Sequence, residues 1–507
     1  MRYFCNPAFD HRLAWLMAFC WGLLPMFPAL WTQNIAGSPY TDLYPSIWSL
    51  WATEDWLHHF KSTWLNYPQG QSWYPSNLLW GILCIPFKSW LSMGTIYNII
   101  LFVARFAGAI SFYYAGFAQS QNRNVAWLFM ILIGCSPFVH GFAVEGILEG
   151  CQIWGIALWL WSIAKNKYKL ASLFFFATIL SNWYFAAVLS TLCFWMGWQN
   201  RKIWYSFWGL LPSIPFIYAF LASMDGHQTI PPEIRQSMGF QWGLPTPNIL
   251  EKPSIFAINS YIGFISLAVM FHQRNIRTWN SQKWAALMLF FVSLLLASGW
   301  SPLYEQPFLK PLLGFFRFPY RWHLLLLIAL ALFLQDHPIW KSQRSWIVLG
   351  FIFMEQSLLS SISCFIPVAP AKVDNYVQMI DGPILDLPGP KALPPGTPNP
   401  SRQRLKYILY NQTFHQQPIG WSLDFNSLHS INSCFQETHQ THRSSEDTLK
   451  VQNSAQSQCW NHIEWVVIHN QSTEWNDLLQ SHHFQLHSQQ SNISVWKKKH
   501  VSPIPTR

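Results

Sequence analysis

Charge is what this sequence has least of. Asp, Glu, Lys and Arg make up 11% of its 507 residues, where a soluble domain carries about 25%. The shortage is uneven: ionised groups nearly vanish from apolar runs of about 15–24 residues, the length that crosses a bilayer. The first 366 residues hold too little polar sequence to cover the surface of a soluble enzyme, so that class is excluded for this part. GxGxxG, Walker A, HExxH and GxSxG motifs are also missing, and with them the chemistries they carry. Nine cysteines include no CxxC or other zinc spacing. Most lie in apolar runs, where cysteine is a small hydrophobe. A formal net charge of +10 comes with no nucleic-acid motif, so nucleic acid is not an expected partner.

Apolar and aromatic side chains are abundant instead: 51% hydrophobic, 17% aromatic, 31 tryptophans. Indole rings favour the boundary between lipid and water. Candidate membrane segments lie near 13–31, 77–92, 95–118, 125–139, 150–164, 170–182, 183–199, 204–223, 255–271, 284–299, 321–335 and 346–366. The sequence therefore reads as an α-helical polytopic membrane protein. Its first run follows Arg2, His11 and Arg12 and lacks an A-x-A site, which predicts an uncleaved first helix. Basic breaks at Lys165, Lys167 and Lys169, at Arg201 and Lys202, at Arg274, Arg277 and Lys283, and at Lys341 and Arg344 mark inside loops. This leaves 225–254, 300–320 and everything past about 366 outside. An inside N-terminus and an outside C-terminus need an odd number of spans. About 11 are expected, with 77–92, bearing Pro86 and Lys88, interfacial or re-entrant.

The expected organisation is a multi-pass domain over 1–366, with a first outside loop at 32–76, and an extracytoplasmic C-terminal domain over 367–507. Strand-like runs at Ile384–Leu387, Tyr407–Tyr410 and Glu464–His469, with a helix-like piece at Trp475–Ser481, predict a small α/β or α+β fold for the tail. Cys434 and Cys459 lie in its polar part and form a candidate disulfide if that compartment is oxidising.

Three groups of residues carry chemistry. Asp42 opens the aromatic first outside loop, followed by Glu54 and Asp55. An acidic residue at the bilayer boundary is either solvated or functional, or it caps the following helix. Glu145 and Glu149 are four apart with His140 before them. On a helix they would share a side, a set that suits holding a divalent cation such as Mg or Mn or orienting an acceptor substrate; the alternative is a solvated turn. Arg317 and Arg321, with His323 beside them, suit a phosphate. Their alternative is a basic anchor snorkelling to lipid headgroups.

A first span, an outside loop opening with Asp42, then Trp48, Leu50 and Trp51 and a YP-x-G stretch at Tyr67, Pro68 and Gly70 resemble the C-type (GT-C) glycosyltransferase superfamily. Within it the chain looks like a group of poorly characterised bacterial multi-pass proteins. Thr41 stands where that pattern has glycine. Ser136–Pro137, the Arg317–Arg321 stretch, ILDLP at 384–388 and YNQTFHQQPIGW at 410–421 repeat the resemblance along the chain. It implies a carboxylate, here Asp42, as catalytic base or metal ligand. It also implies a polyprenyl-phosphate-linked sugar donor in the bilayer, a cell-envelope glycan, lipid or protein as acceptor, and a bacterial inner membrane location. Two alternatives stay open: a transporter or flippase of lipid-linked saccharides, and an inactive relative acting as a binding module.

Overall fold

The computed structural model describes residues 7–39, 41–65, 73–223, 262–272, 279–307, 313, 318–359, 365–371, 373, 375–387, 409–417, 460, 462–469, 476–490 and 493–499. Arg317, the YP-x-G stretch, Cys434 and Cys459 lie outside them. The described chain is mostly helical. The helices used below are α1 (Pro7–Leu23), α2 (Leu43–His59), α3 (Leu78–Cys84), α4 (Met93–Ser120), α5 (Arg123–Phe129), α6 (Pro137–Val144), α7 (Trp154–Ala164), α8 (Tyr168–Ser181), α9 (Trp183–Gln199), α10 (Ile214–Ser223), α11 (Phe264–His272), α12 (Ser281–Ala297), α13 (His323–Leu334), α14 (Ser345–Leu359) and α15 (Asn476–Ser481).

Among the described residues, four helical stretches are long and apolar enough to cross a membrane: Asp10–Trp31, Met93–Ser120, Arg123–Val144 and Arg201–Leu221. Leu78–Phe87, Tyr168–Ser181, Ser281–Ala297 and Pro319–Leu334 are apolar but shorter. Leu78–Phe87 rises about 15 Å, half the thickness of a hydrocarbon core.

The chain forms two compact units. The first comprises Met1–Ser46, Ser76–Tyr218 and Gln228–Ala371; the second comprises Ile47–Pro75, Ala219–His227 and Lys372–Arg507. Most of the stretch 32–76 thus groups with the tail rather than with the helices that flank it in sequence.

In the first unit, α1 ends where proline breaks its hydrogen-bond ladder. Pro25 has no N–H to offer the Trp21 carbonyl four residues back. The buried guanidinium of Arg105, on α4, takes that carbonyl at 2.9 Å and lies 4.6 Å over the Trp21 ring. Beyond the break, β1 (Ile35–Ala36) pairs antiparallel with β2 (Val368–Ala369). The Asn98 amide bridges this segment to α4, accepting from Ala36 N–H and donating to the Asn34 carbonyl, both at 2.9 Å. α4 and the π-helical turn Met130–Gly134 pack backbone to backbone: a Cβ on Gly134 would sit 2.7 Å from the Ala109 Cα. Small residues give membrane helices this closeness.

In the second unit, α2 contributes a row of tryptophans. Gln412 is fully buried among them. Its carbonyl accepts from the Trp48 indole at 2.7 Å, and its amide donates to the carbonyls of Trp64 and Gln417 at 3.0 and 2.9 Å. Trp56 donates to the Trp73 carbonyl, and the Trp48 and Trp73 rings lie 4.7 Å apart. The tail holds a four-stranded mixed sheet of β3 (Ile384–Leu387), β4 (Trp465–His469), β5 (Phe484–Gln490) and β6 (Ile493–Lys498), in the order β3-β4-β6-β5. β3 and β4 are parallel; the other pairings are antiparallel. The strand expected at Tyr407–Tyr410 is corrected: Leu409 and Tyr410 begin a helical stretch over 409–415.

Candidate functional site

The site is assembled around Gly146. α6 stops at Val144, and Gly146 turns the chain with φ +69°, a region L residues avoid. A Cβ there would also meet the Leu43 Cα at 2.6 Å. Glycine thus lets the backbone that enters α2 press against the end of α6. Hydrogen bonds close the contact. Ser38 N–H donates to the Val144 carbonyl at 2.8 Å, Asp42 N–H to the Glu145 carbonyl at 3.3 Å, and the Ser46 hydroxyl to the Gly146 carbonyl at 2.9 Å. Thr41, which stands where the pattern has glycine, uses its hydroxyl on the same Glu145 carbonyl.

Asp42 precedes the first residue of α2, and its carbonyl accepts the first helical bond, from Ser46, at 2.9 Å. Its side chain is exposed. This is the N-cap position, where a carboxylate meets free helical N–H groups and the positive end of the helix dipole. The capping and catalytic readings therefore place the residue alike.

Glu149 follows on the 3-10 turn Leu148–Cys151. The expected shared helix face of His140, Glu145 and Glu149 is corrected: the turn at Gly146 separates Glu145 from Glu149, so they do not follow on successive turns of one helix. Glu149 is instead paired with Arg321, oxygen to nitrogen 2.9 Å, with side-chain exposures of 16% and 6%. The guanidinium of Arg321 is enclosed by the rings of Tyr184, Phe318 and Phe142, at 4.2, 5.2 and 5.7 Å. Its Nε has no hydrogen-bond partner among the described residues. The Asn182 amide donates to the Glu149 carbonyl at 2.7 Å while its oxygen caps α9. Asn182 and Tyr184 were not among the residues expected from sequence. The available signal was a polar residue at the junction of two apolar runs.

His140 is buried against Trp21, with ring centroids 5.5 Å apart, and His323, fully buried at the start of α13, lies 5.3 Å from Phe138. Glu54 is exposed on α2 in the second unit. Asp55, also in that unit, accepts from the backbone N–H and hydroxyl of Thr63 at 3.1 and 2.8 Å, closing the turn after α2. Among the described residues no group of three His, Cys, Asp or Glu is placed to hold a metal ion.

The arrangement thus sets an exposed carboxylate at a helix N-terminus. One short turn along, it holds a buried arginine ringed by aromatics. No family model and no curated protein matches the chain.

Proposed function

We propose that this protein is a membrane glycosyltransferase moving a sugar from a polyprenyl-phosphate-linked donor to an extracytoplasmic cell-envelope acceptor. The observation that carries the reading is the bonding of the Asp42 segment to the turn that leads into the Glu149–Arg321 pair. Sugar transfer needs a carboxylate to take the acceptor proton and a cation where a leaving phosphate gathers charge. In this reading Asp42 takes the hydroxyl proton as the acceptor oxygen attacks the anomeric carbon. The bond from that carbon to the donor phosphate breaks, and the polyprenyl phosphate leaves with the electron pair. Arg321, oriented by Glu149 and its aromatic ring, turns a donor toward the phosphate. Glu54 is a secondary candidate base. Asp55 is occupied by Thr63 and serves the loop. A divalent cation would draw on Asp42 and Glu145, since Glu149 is committed to Arg321. The N-terminus is inside, the tail from 367 outside, with about 11 spans in the bacterial inner membrane.

A second reading, a flippase or transporter of lipid-linked saccharides, is favoured by charges buried along helices. Arg105 has no exposure midway along Met93–Ser120, and Glu355 has 6% on α14. Such groups mark translocation pathways in membrane proteins. An inactive relative acting as a binding module is the third.

Purified protein in vesicles with a labelled polyprenyl-phosphate sugar separates these readings. Transfer of label to an envelope extract supports the transferase. Label crossing the bilayer with its phosphate bond intact supports the flippase, and neither supports the binding module.

A further inference from the structure

Asn182 is the whole connection between two helices. α8 ends at Ser181 and α9 begins at Trp183, with one extended residue between them, φ −163° and ψ 116°. Asn182 is 2% exposed, and each of its hydrogen-bonding groups is used. Its backbone N–H donates to the Thr178 carbonyl and closes α8; its carbonyl accepts the Ala186 N–H and opens α9, both at 2.9 Å. The side-chain oxygen accepts the N–H groups of Tyr184 and Phe185, at 2.9 and 3.3 Å. The side-chain nitrogen donates to the Glu149 carbonyl at 2.7 Å, across 33 residues of sequence.

Capping explains only half of this side chain. A helix N-terminus needs an acceptor, which aspartate or serine supplies as well. Asparagine adds a donor, and here the donor goes to Glu149. That carbonyl also takes the Gln152 N–H, at 3.3 Å, within its own short turn. The asparagine bond is the shorter of the two, and it ties the turn to α9.

The two residues held in this way both border Arg321. Glu149 pairs with the guanidinium at 2.9 Å. The Tyr184 ring, at 4.2 Å, is the nearest of the three aromatic rings around it. The Tyr184 N–H and the Glu149 carbonyl meet on one side-chain amide, so that amide sets the spacing between the arginine's ion-pair partner and its ring partner.

We propose that Asn182 is a positioning residue for Arg321. It acts through Glu149 and Tyr184, fixing the carboxylate and the ring that together aim the guanidinium at the donor phosphate. The inference rests on the reading of Arg321 given above.

Two variants separate positioning from capping. Asn182→Ser keeps a capping oxygen but is too short to reach the Glu149 carbonyl, and Asn182→Asp keeps the cap without the donor. In full-length protein in vesicles, each should lower kcat for sugar transfer about tenfold, since a small displacement of an oriented group costs this much or more. In an Arg321→Met background the same changes should cost less than about twofold, because no guanidinium is left to aim. An equal loss in both backgrounds would make Asn182 a structural cap and overturn the proposal. A second readout needs no transfer. With Tyr184 replaced by 3-fluorotyrosine, fluorine NMR of the full chain in mild detergent reports the cation over that ring. Arg321→Met should move the signal, and Asn182→Ser should move it part of the way. A signal that Asn182→Ser leaves at its wild-type position overturns the proposal. A wild type that transfers no sugar would count against the proposed reaction, and the fluorine signal would then decide the role of Asn182 by itself.

Discussion

Replacing Glu149 with glutamine keeps its shape and removes the charge that balances Arg321. The two side chains expose 16% and 6% of their surface at a nitrogen–oxygen distance of 2.9 Å. Removing one partner of a buried pair costs about 3–5 kcal/mol, because the other charge is left uncompensated. Three rings around the guanidinium offset part of this, about 1–2 kcal/mol. Glu149→Gln should therefore destabilise by about 1–4 kcal/mol, and Arg321→Met by a similar amount. The double change should cost less than their sum by about 1.5 kcal/mol or more. Equilibrium unfolding in mixed micelles, followed by tryptophan fluorescence, gives all three values. Single effects that add to within about 0.5 kcal/mol would show that the residues do not couple. A Glu149→Gln variant as stable as wild type would reduce the bridge to a solvated surface pair.

Three further outcomes follow from local geometry. Gly146→Ala should cost about 2 kcal/mol or more, since the position combines a positive φ with a Cβ placed 2.6 Å from the Leu43 Cα; a thermal melt at the wild-type midpoint would contradict this. Gln412→Leu strands the Trp48 indole and two backbone carbonyls, and should cost about 2–4 kcal/mol; protease resistance of the second unit equal to wild type would count against it. His337 is held below its ordinary pKa, first by burial and then by the positive neighbours His272 and Lys283. A histidine depressed in the folded state binds its proton more readily when unfolded. Its contribution to stability is therefore complete above about pH 6.5 and is lost as pH falls through the folded-state value. Melting temperature should drop on acidification below about pH 6.5, and less steeply in His337→Gln; parallel profiles would refute the assignment.

Helices were legible in the sequence wherever apolar runs were long. The runs near 95–118 and 125–139 fall within Met93–Ser120 and Arg123–Val144. Ile384–Leu387 is a strand over the residues read, and the run at Glu464–His469 forms β4. β5 and β6 were missed. β5 is an edge strand, and most of its side chains are exposed, so FQLHSQQ carries little apolar alternation to read. Tyr407–Tyr410 misled because its aromatic and β-branched content fits a strand, while the packing of Tyr410 and Phe414, one helical turn apart with ring centroids at 5.2 Å, fits a helix. At the site, the residue types were readable but their pairing was not. Glu145 and Glu149 have helical spacing, and only the end of α6 at Val144 and the turn at Gly146 show that no helix carries both. The partnership of Glu149 with Arg321 spans 172 residues, beyond the reach of any local pattern.

The central claim rests on Asp42. Its change to asparagine preserves size and the ability to cap α2 while removing the base, so stability and membrane insertion should stay at wild-type levels. Sugar transfer in the vesicle assay should fall by about 10²–10⁴-fold, the usual contribution of a general base. The same rate in Asp42→Asn as in wild type would contradict the account, and would leave Asp42 as a helix cap and nothing more.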